Sequence, residues 1–124
     1  MSKKQPETGT MDFTVASERA VRVRSLYRQL EERNHGDAWT TEEDMLAFAT
    51  DIGVLGRLVM AAEGRWVYGG NVRTEMTNKL AECLWWILVL SDRLGVDITE
   101  AFTAFMDRLD SDLETSVSTA PKHK

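Results

Sequence analysis

The chain has 124 residues, a formal net charge of -5 and an isoelectric point near 5.0. A length of this order corresponds to a single domain. The acidic balance argues against a general nucleic-acid binder, because binding to phosphates depends on clustered Lys and Arg. We therefore expect no DNA or RNA partner.

Cys83 is the only cysteine and lies within the longest apolar run of the sequence. The chain therefore offers neither a disulfide framework nor a cysteine metal cluster. The N-terminal sequence MSKKQPETGT lacks the apolar segment of a signal peptide. The run from Cys83 to Leu90 is much shorter than the roughly 20 residues that a bilayer crossing needs. These features predict a cytoplasmic protein without a membrane partner.

Both ends of the chain are polar and show no apolar periodicity. Residues 1–13 and 115–124 are predicted to be disordered tails. Residues 14–114 are predicted to form one helical domain.

The first predicted helix begins at Thr14 or Ser17 and ends near Glu32. Its apolar stripe consists of Val23, Tyr27 and Leu30. Its charged side carries Arg22, Arg24 and Arg28. We interpret these arginines as a solvated helix face.

The second predicted helix begins at Thr41, because Thr41 and Asp44 have the spacing of a capping box and the first turn is acidic. It ends near Ala62. The face that repeats at helical spacing consists of Met45, Phe48, Ile52, Leu55 and Val59. Gly53 and Gly56 lie inside the helix, where each costs roughly 1 kcal/mol relative to Ala. Such glycines favour a neighbouring helix that packs closely against them.

Residues 63–71 are predicted to connect the second and third helices, because Gly69 and Gly70 are a strong turn signal. A short hairpin-like excursion is an alternative for this segment. We interpret three aromatic residues as a cover over one end of the bundle: Trp66 and Tyr68 in this connector, and Trp39 in the loop before the second helix. Stacking on a nucleotide base is the alternative.

The third predicted helix contains the apolar run around Trp85 and Trp86, within residues 78–98. A helix that is apolar nearly all round has to be buried nearly all round. A small domain has little interior, so we predict a core helix that is also an oligomer interface. Gly95 is suited to end this helix, and Asp97 to cap the next one, three residues before Glu100.

The fourth predicted helix runs from Ile98 to about Glu114. Its apolar face consists of Ala101, Phe102, Phe105, Leu109 and Leu113. The four helices and their short connections predict an all-α, four-helix bundle that self-associates through its central helices.

The sequence lacks the phosphate loop, dinucleotide fingerprint, nucleophile elbow and zinc-protease motif. His35 and His123 have no partner at the spacing of metal ligands. Acidic residues are more informative, because Asp51 and Glu82 approach each other if the second and third helices pack antiparallel. Carboxylates that converge between helices are typical of Mg²⁺ sites. The alternative is that these are surface acids, with Glu75 or Glu82 paired to Lys79.

Two segments resemble one family. KLAECLWWILVLSDRLGVDITEAF resembles the segment E-L-A-D-V-L-x-Y-L-x-x-L-A-D-x-L-G-I-D-L-x-x-A of the MazG-like, all-α nucleoside triphosphate pyrophosphohydrolases. LAFATDIGVLGRLVM resembles their helix L-x-x-L-x-E-E-x-G-E-L, with Gly53 and Leu55 in register. The resemblance extends from about Val21 to Leu113 and implies a four-helix MazG-like bundle.

The resemblance also implies a site. Members of this family hold Mg²⁺ with five acidic residues and hydrolyse a nucleoside triphosphate to a monophosphate and pyrophosphate. The five positions correspond here to Thr50, Asp51, Val54, Lys79 and Glu82. Asp51 and Glu82, which alone remain acidic, are thus implied as catalytic residues and metal ligands. Glu75 or Asp44, each one or two turns from an expected position, is the candidate further ligand of a relocated metal site. Lys79 sets a cation where the family has an acid.

Two functions follow from this pattern. The first is Mg²⁺-dependent hydrolysis of a nucleoside triphosphate by Asp51 and Glu82. The second is a catalytically degenerate relative that acts as an oligomeric nucleotide-binding, regulatory or protein-interaction module. Both predict a homodimer or tetramer, and both leave a nucleoside triphosphate as a candidate ligand.

Overall fold

The computed structural model describes residues 11–119 and contains four α-helices and no strand within that range. The helices are α1 (Phe13–His35), α2 (Thr41–Ala62), α3 (Val72–Arg93) and α4 (Ile98–Thr119). The prediction of an all-α, four-helix chain is confirmed. The tails predicted for residues 1–10 and 120–124 lie outside the described residues.

Helix α1 is longer at both ends than its apolar pattern indicated. The Asp12 carboxylate accepts a hydrogen bond from the backbone N–H of Val15 at 2.9 Å and caps the N-terminus. Gly36 ends the helix with φ of 93°, a conformation that glycine adopts without steric cost. Phe13 is therefore the first residue of α1 and His35 the last.

Helix α2 begins at Thr41, and its capping box is formed by Thr40 and Glu43, each one residue before the predicted pair. The Thr40 hydroxyl accepts from the Glu43 N–H at 3.1 Å, and the Glu43 carboxylate accepts from the Thr40 N–H at 2.8 Å. The prediction of Thr41 with Asp44 was wrong. Asp44 does not serve the cap, because its carboxylate is fully buried and bound to arginines.

The α3–α4 junction follows the prediction. Gly95 has φ of 72° and ends the α3 turn, and the Asp97 carboxylate accepts from the Glu100 N–H at 3.0 Å. Helix α4 then continues to Thr119 rather than ending at Glu114, so residues 115–119 are helical and not a disordered tail. Residues 115–119 are all hydroxyl-bearing or β-branched, and such residues have low helix propensity. The sequence therefore predicted a tail at this end of α4. No Gly or Pro stops the helix before Thr119.

Helix α3 is the centre of the molecule, and both α1 and α2 pack against it. The core is formed by Ala20, Trp86, Leu88 and Val89. Trp85 joins α3 to α1, because its indole N–H donates to the Ala20 carbonyl at 3.1 Å. The rings of Trp85 and Tyr27 lie 5.8 Å apart. Both tryptophans of the apolar run are thus used inside the chain.

The burial of α3 is one-sided within a single chain. Leu80, Leu84 and Ile87 repeat at helical spacing and are 53%, 47% and 40% exposed. The sequence predicted that α3 is buried on nearly all sides. In a single copy of the chain, this stripe of α3 remains exposed.

Helices α2 and α4 also expose apolar surface. Helix α4 has no buried residue, and the Phe102 ring meets only the edge of Phe13, with ring centroids 5.6 Å apart. Within residues 11–119, α2 alone is long and apolar enough to cross a bilayer by length and composition, and 6% of that stretch is buried within the chain.

Candidate functional site

Two of the residues predicted to hold a metal, Asp51 and Glu82, meet at Lys79, where α2 packs on α3. The Lys79 ammonium lies 3.0 Å from Asp51 Oδ1 and 2.7 Å from Glu82 Oε1. The indole N–H of Trp86 donates to Asp51 Oδ2 at 2.8 Å. Lys79, Glu82 and Trp86 lie three and four residues apart along α3, so they share one face of that helix. We call these four residues the Lys79 cluster.

The ionisation of the Lys79 cluster follows from these contacts. Burial acts to raise the pKa of Asp51, but hydrogen bonds from Trp86 and Lys79 outweigh it and hold the pKa below its usual value. The hydrogen bond to Glu82 is the largest cause that raises the pKa of Lys79; burial opposes it and the bond to Asp51 adds to it. Lys79 is therefore charged, and Asp51 ionised, throughout the neutral range.

The cluster does not fit the Mg²⁺ ion that the resemblance implies. Both oxygens of Asp51 already accept hydrogen bonds, and an ammonium group touches both carboxylates. A divalent cation at contact distance would be repelled by Lys79. No group of three or more His, Cys, Asp or Glu side chains within residues 11–119 is arranged to hold a metal.

Glu75 is occupied elsewhere. Its carboxylate accepts a hydrogen bond from the Tyr68 hydroxyl, and this bond raises the pKa of Tyr68. Tyr68 precedes α3 and Glu75 lies in its first turn, so the contact fixes the connector to the helix. The structure thus brings Asp51 and Glu82 together and gives Glu75 a different partner.

Asp44 forms a second cluster that the sequence reasoning missed. Its carboxylate binds Arg24 at 2.8 Å and Arg93 at 2.7 Å, and it has no solvent exposure. Arg24 also binds Glu31 at 3.0 Å. Burial acts to lower the pKa of Arg24, but the hydrogen bonds to Asp44 and Glu31 outweigh it and raise the pKa. Asp44 therefore joins α1, α2 and α3 and is not free to hold a metal.

The interpretation of Arg24 as part of a solvated face was wrong, because Arg24 is 4% exposed. A signal was present in the sequence. Ala16, Ala20 and Arg24 recur four residues apart, and small residues at this spacing let a neighbouring helix approach. The core-facing side of α1 is this row rather than the stripe with Tyr27.

The loop between α1 and α2 is tied to two helices through Trp39. The backbone N–H of Trp39 donates to the Glu31 carboxylate at 2.8 Å, and the backbone carbonyl of Trp39 accepts from the Arg93 guanidinium at 3.1 Å. Trp66 lies under the guanidinium of Arg57, 4.1 Å from the ring centroid. The Trp66 ring thus has a partner within the chain, whereas Trp39 is held through its backbone.

A cavity of about 650 Å³ lies between α1, the C-terminal end of α3 and the start of α4. Its volume suits a small ligand. Its charged lining residues are all acidic: Glu18, Asp92, Asp97 and Glu100. Carboxylates repel phosphate groups, so this cavity is unsuited to a nucleoside triphosphate.

Comparison of the chain with protein-family models, curated proteins and solved structures gives no match. The MazG-like interpretation therefore stays a prediction from the sequence segments around Gly53 and Gly95. Function has to be argued from the side chains of the two clusters and from the exposed helix faces.

Proposed function

We propose that this chain is a catalytically degenerate, MazG-like helical protein that acts as a self-associating interaction module. In this proposal the Lys79 ammonium takes the place of Mg²⁺. The protein neither holds the metal between α2 and α3 nor releases pyrophosphate from a nucleoside triphosphate. The buried free thiol of Cys83 supports a reducing, cytoplasmic location.

One observation carries the proposal, namely the position of Lys79 between Asp51 and Glu82. A metal-dependent hydrolase needs the cation to offset the charge of the phosphates and to lower the pKa of the attacking water. An ammonium group neutralises the carboxylates but has no open coordination position for a water or a phosphate oxygen. It therefore supplies the structural part of the metal's role without the catalytic part.

Hydrolysis remains the second candidate function, because Asp51 and Glu82 do face each other across α2 and α3. It requires that Lys79 leave both carboxylates when substrate and Mg²⁺ bind. Breaking two charge-assisted hydrogen bonds opposes that movement.

The direct test is pyrophosphate release from the common ribo- and deoxyribonucleoside triphosphates, with and without Mg²⁺. We expect the wild-type chain to release no more pyrophosphate than a protein-free sample. Release that depends on Mg²⁺ and is lost in Asp51→Ala and in Glu82→Ala would establish the hydrolase instead.

A second measurement tests the role of Lys79 through binding alone. In Lys79→Glu the ammonium is replaced by a carboxylate beside Asp51 and Glu82, so we expect Mg²⁺ binding by titration calorimetry where the wild type shows none. Arg73→Glu makes the same change of charge on an exposed position of α3 and is the matched control. Equal Mg²⁺ binding by the wild type and Lys79→Glu would refute the proposed role of Lys79.

A further inference from the structure

Helices α2 and α4 each leave an apolar face uncovered, and the two faces are complementary in shape. Helix α4 carries bulky exposed side chains, with Phe102, Phe105 and Leu113 43%, 45% and 58% exposed. Helix α2 presents Gly53 and Gly56, and apart from the backbone of α2 itself and the adjacent residues, no atom of residues 11–119 lies within 4 Å of a Cβ placed at either. A smooth surface of this kind lets a second helix approach closely and receive large side chains.

No contact among residues 11–119 of a single copy explains why α2 has Gly53 and Gly56 in its interior. Each costs roughly 1 kcal/mol in a helix interior relative to Ala, and neither is required by a positive φ, since the glycines with positive φ within residues 11–119 are Gly36, Gly64 and Gly95. Close packing by a helix is the remaining physical use of a mid-helix glycine. Within one copy the helix pairs that pack extensively are α2 with α3 and α1 with α3, so α4 supplies no extensive cover for α2.

The exposed area is large enough for a stable interface. A compact monomer of 14.0 kDa is expected to expose about 6,700 Å², whereas this chain exposes 9918 Å². If the 15 residues outside 11–119 are set aside at the upper-bound area of a free chain, roughly 2,400 Å², and their mass is removed from the compact reference, which falls to about 6,100 Å², the excess is roughly 1,400 Å². A standard interface buries about 800 Å² on each partner.

We infer that α4 of one copy packs along the Gly53–Gly56 face of α2 in a second copy of this chain. Both helices have 22 residues, so either orientation matches their lengths. Each copy carries both faces, so a two-fold dimer forms the contact twice and closes. The inference rests on the self-association in the proposed function and names the surfaces that carry it.

Charge favours this pairing over one between two α4 helices. Helix α4 has five acidic residues and one basic residue, so two copies of it side by side repel each other. The uncovered side of α2 carries Arg57 beside Gly53 and Gly56, and the one acid of these turns, Asp51, is bound to Lys79 and Trp86 of α3. The acidic flanks of α4 are thus better placed beside α2.

The first experiment is analytical ultracentrifugation of the full chain at micromolar concentration. We expect a dimer for the wild type, and a dissociation constant raised at least about tenfold by Phe105→Asp. Thr103→Asp places the same charge on the opposite face of α4 and is the matched control. A monomeric wild type, or equal effects of Phe105→Asp and Thr103→Asp, would overturn the inference.

A change on the α2 side keeps the test valid if Phe105→Asp fails to fold. Gly53→Leu raises helix propensity, and a Cβ at this position meets nothing within 4 Å beyond the backbone of α2 and the adjacent residues, so we expect a monomer to gain stability from the change. If α4 of a second copy covers Gly53, the same change weakens the dimer at least about tenfold. Unchanged association of a folded Gly53→Leu chain would overturn the inference.

Cross-linking identifies the contacting helices. Copies with Leu109→Cys are mixed with copies with Gly53→Cys, since both residues lie near the middle of their helices, and a short bismaleimide is added. We expect the mixed product to exceed both like-with-like products, with the parent chain and its buried Cys83 as background. A predominant Leu109–Leu109 product would show that α4 pairs with α4 instead.

The proposed function and this inference fail separately. Pyrophosphate release would refute the proposed function and leave the interface test unaffected. A dimer that survives both Phe105→Asp and Gly53→Leu would refute the α4–α2 contact alone. Sedimentation of the chain with phosphatidylcholine vesicles, lost in Gly53→Asp, would assign the apolar face of α2 to a membrane and refute the contact.

Discussion

At the scale of single residues, the fold depends on two ionic contacts that connect helices, one buried at Asp44 and one partly buried at Lys79. Lys79 holds Asp51 of α2 beside Glu82 of α3, and Asp44 holds arginines from α1 and α3. The Lys79–Glu82 pair lies three residues apart on α3, but the contacts of Lys79 with Asp51 and of Asp44 with its arginines join different helices and form no short sequence motif. Buried charges of this kind are strongly destabilising when one partner is removed.

Replacing the buried acid tests this argument. In Asp44→Ala the guanidinium groups of Arg24 and Arg93 lose their shared carboxylate while Arg24 stays buried. We expect the free energy of unfolding to fall by about 3–5 kcal/mol. Urea unfolding followed by circular dichroism measures it. Asp110→Ala, an exposed acid of α4, should change stability by less than about 0.5 kcal/mol, and a similar loss in both variants would contradict the argument.

Removing the charge of Lys79 should have a pH-dependent effect. Lys79→Met leaves Asp51 and Glu82 without their cation, and we expect a loss of about 1–2 kcal/mol at pH 7. The pKa of Lys79 is raised above 10.5 in the folded chain. Its stabilisation is therefore complete below pH 10.5 and is lost as the pH rises through the folded-state pKa.

Urea unfolding at pH 7 and at pH 11 separates this effect from general alkaline destabilisation. The wild type should lose more stability than Lys79→Met between the two values, since Lys79→Met has no ammonium to deprotonate. Arg73→Met removes an exposed charge of the same helix and should follow the wild type. Parallel losses in the wild type and Lys79→Met would show that the cluster contributes nothing to stability.

The sequence predicted the approach of Asp51 and Glu82 because helical spacing and antiparallel packing determine which residues face each other. The sequence also offered pairing of Glu82 with Lys79 as the alternative to a metal site. The Asp44 cluster was not predicted, because its arginines lie on helices far apart in the chain. Only the three-dimensional packing brings Arg24 and Arg93 to one carboxylate.

At the scale of the helices, local chemistry predicted most of the fold. Four segments with apolar residues at helical spacing predicted the four helices. Gly95, which ends α3, and Asp97, which caps α4, predicted the junction between those two helices. The errors arose at ends where two residues compete for one role. Thr40 and Thr41 are adjacent, each followed three residues later by an acid, and the pattern does not distinguish them.

The choice between the two threonines is testable. Thr40→Ala removes the hydroxyl that accepts from Glu43 N–H, so we expect a loss of about 1 kcal/mol. Thr41→Ala lies in the first turn of α2 and should cost less than about 0.3 kcal/mol, because Ala has high helix propensity. Thermal unfolding of both variants gives the comparison. A larger loss in Thr41→Ala would place the cap at Thr41.

At the scale of the whole molecule, one copy is an incomplete bundle. Helix α3 buries one side, α4 buries no residue, and α2 exposes most of its apolar length. Most of the stability of a helix in a protein comes from packing of its apolar face, and α4 packs within one copy chiefly near its start, at Ile98 and Phe102. Sequence alone predicted a need for a partner from the apolar composition of α3, the helix around Trp85 and Trp86. One copy buries Trp86 but leaves Leu80, Leu84 and Ile87 of that helix exposed, and an interface on α3 stays a prediction.

If two copies complete each other's bundle, folding and association are coupled, and the thermal midpoint depends on protein concentration. For a dimer of this size, a roughly 100-fold increase in concentration should raise the midpoint by about 7 °C. Circular dichroism at 1 and 100 µM measures the shift. Phe105→Asp should remove most of it, whereas Thr103→Asp should retain it. A midpoint independent of concentration in the wild type would mean that α4 is stable without a second copy, and that its apolar stripe serves a different partner.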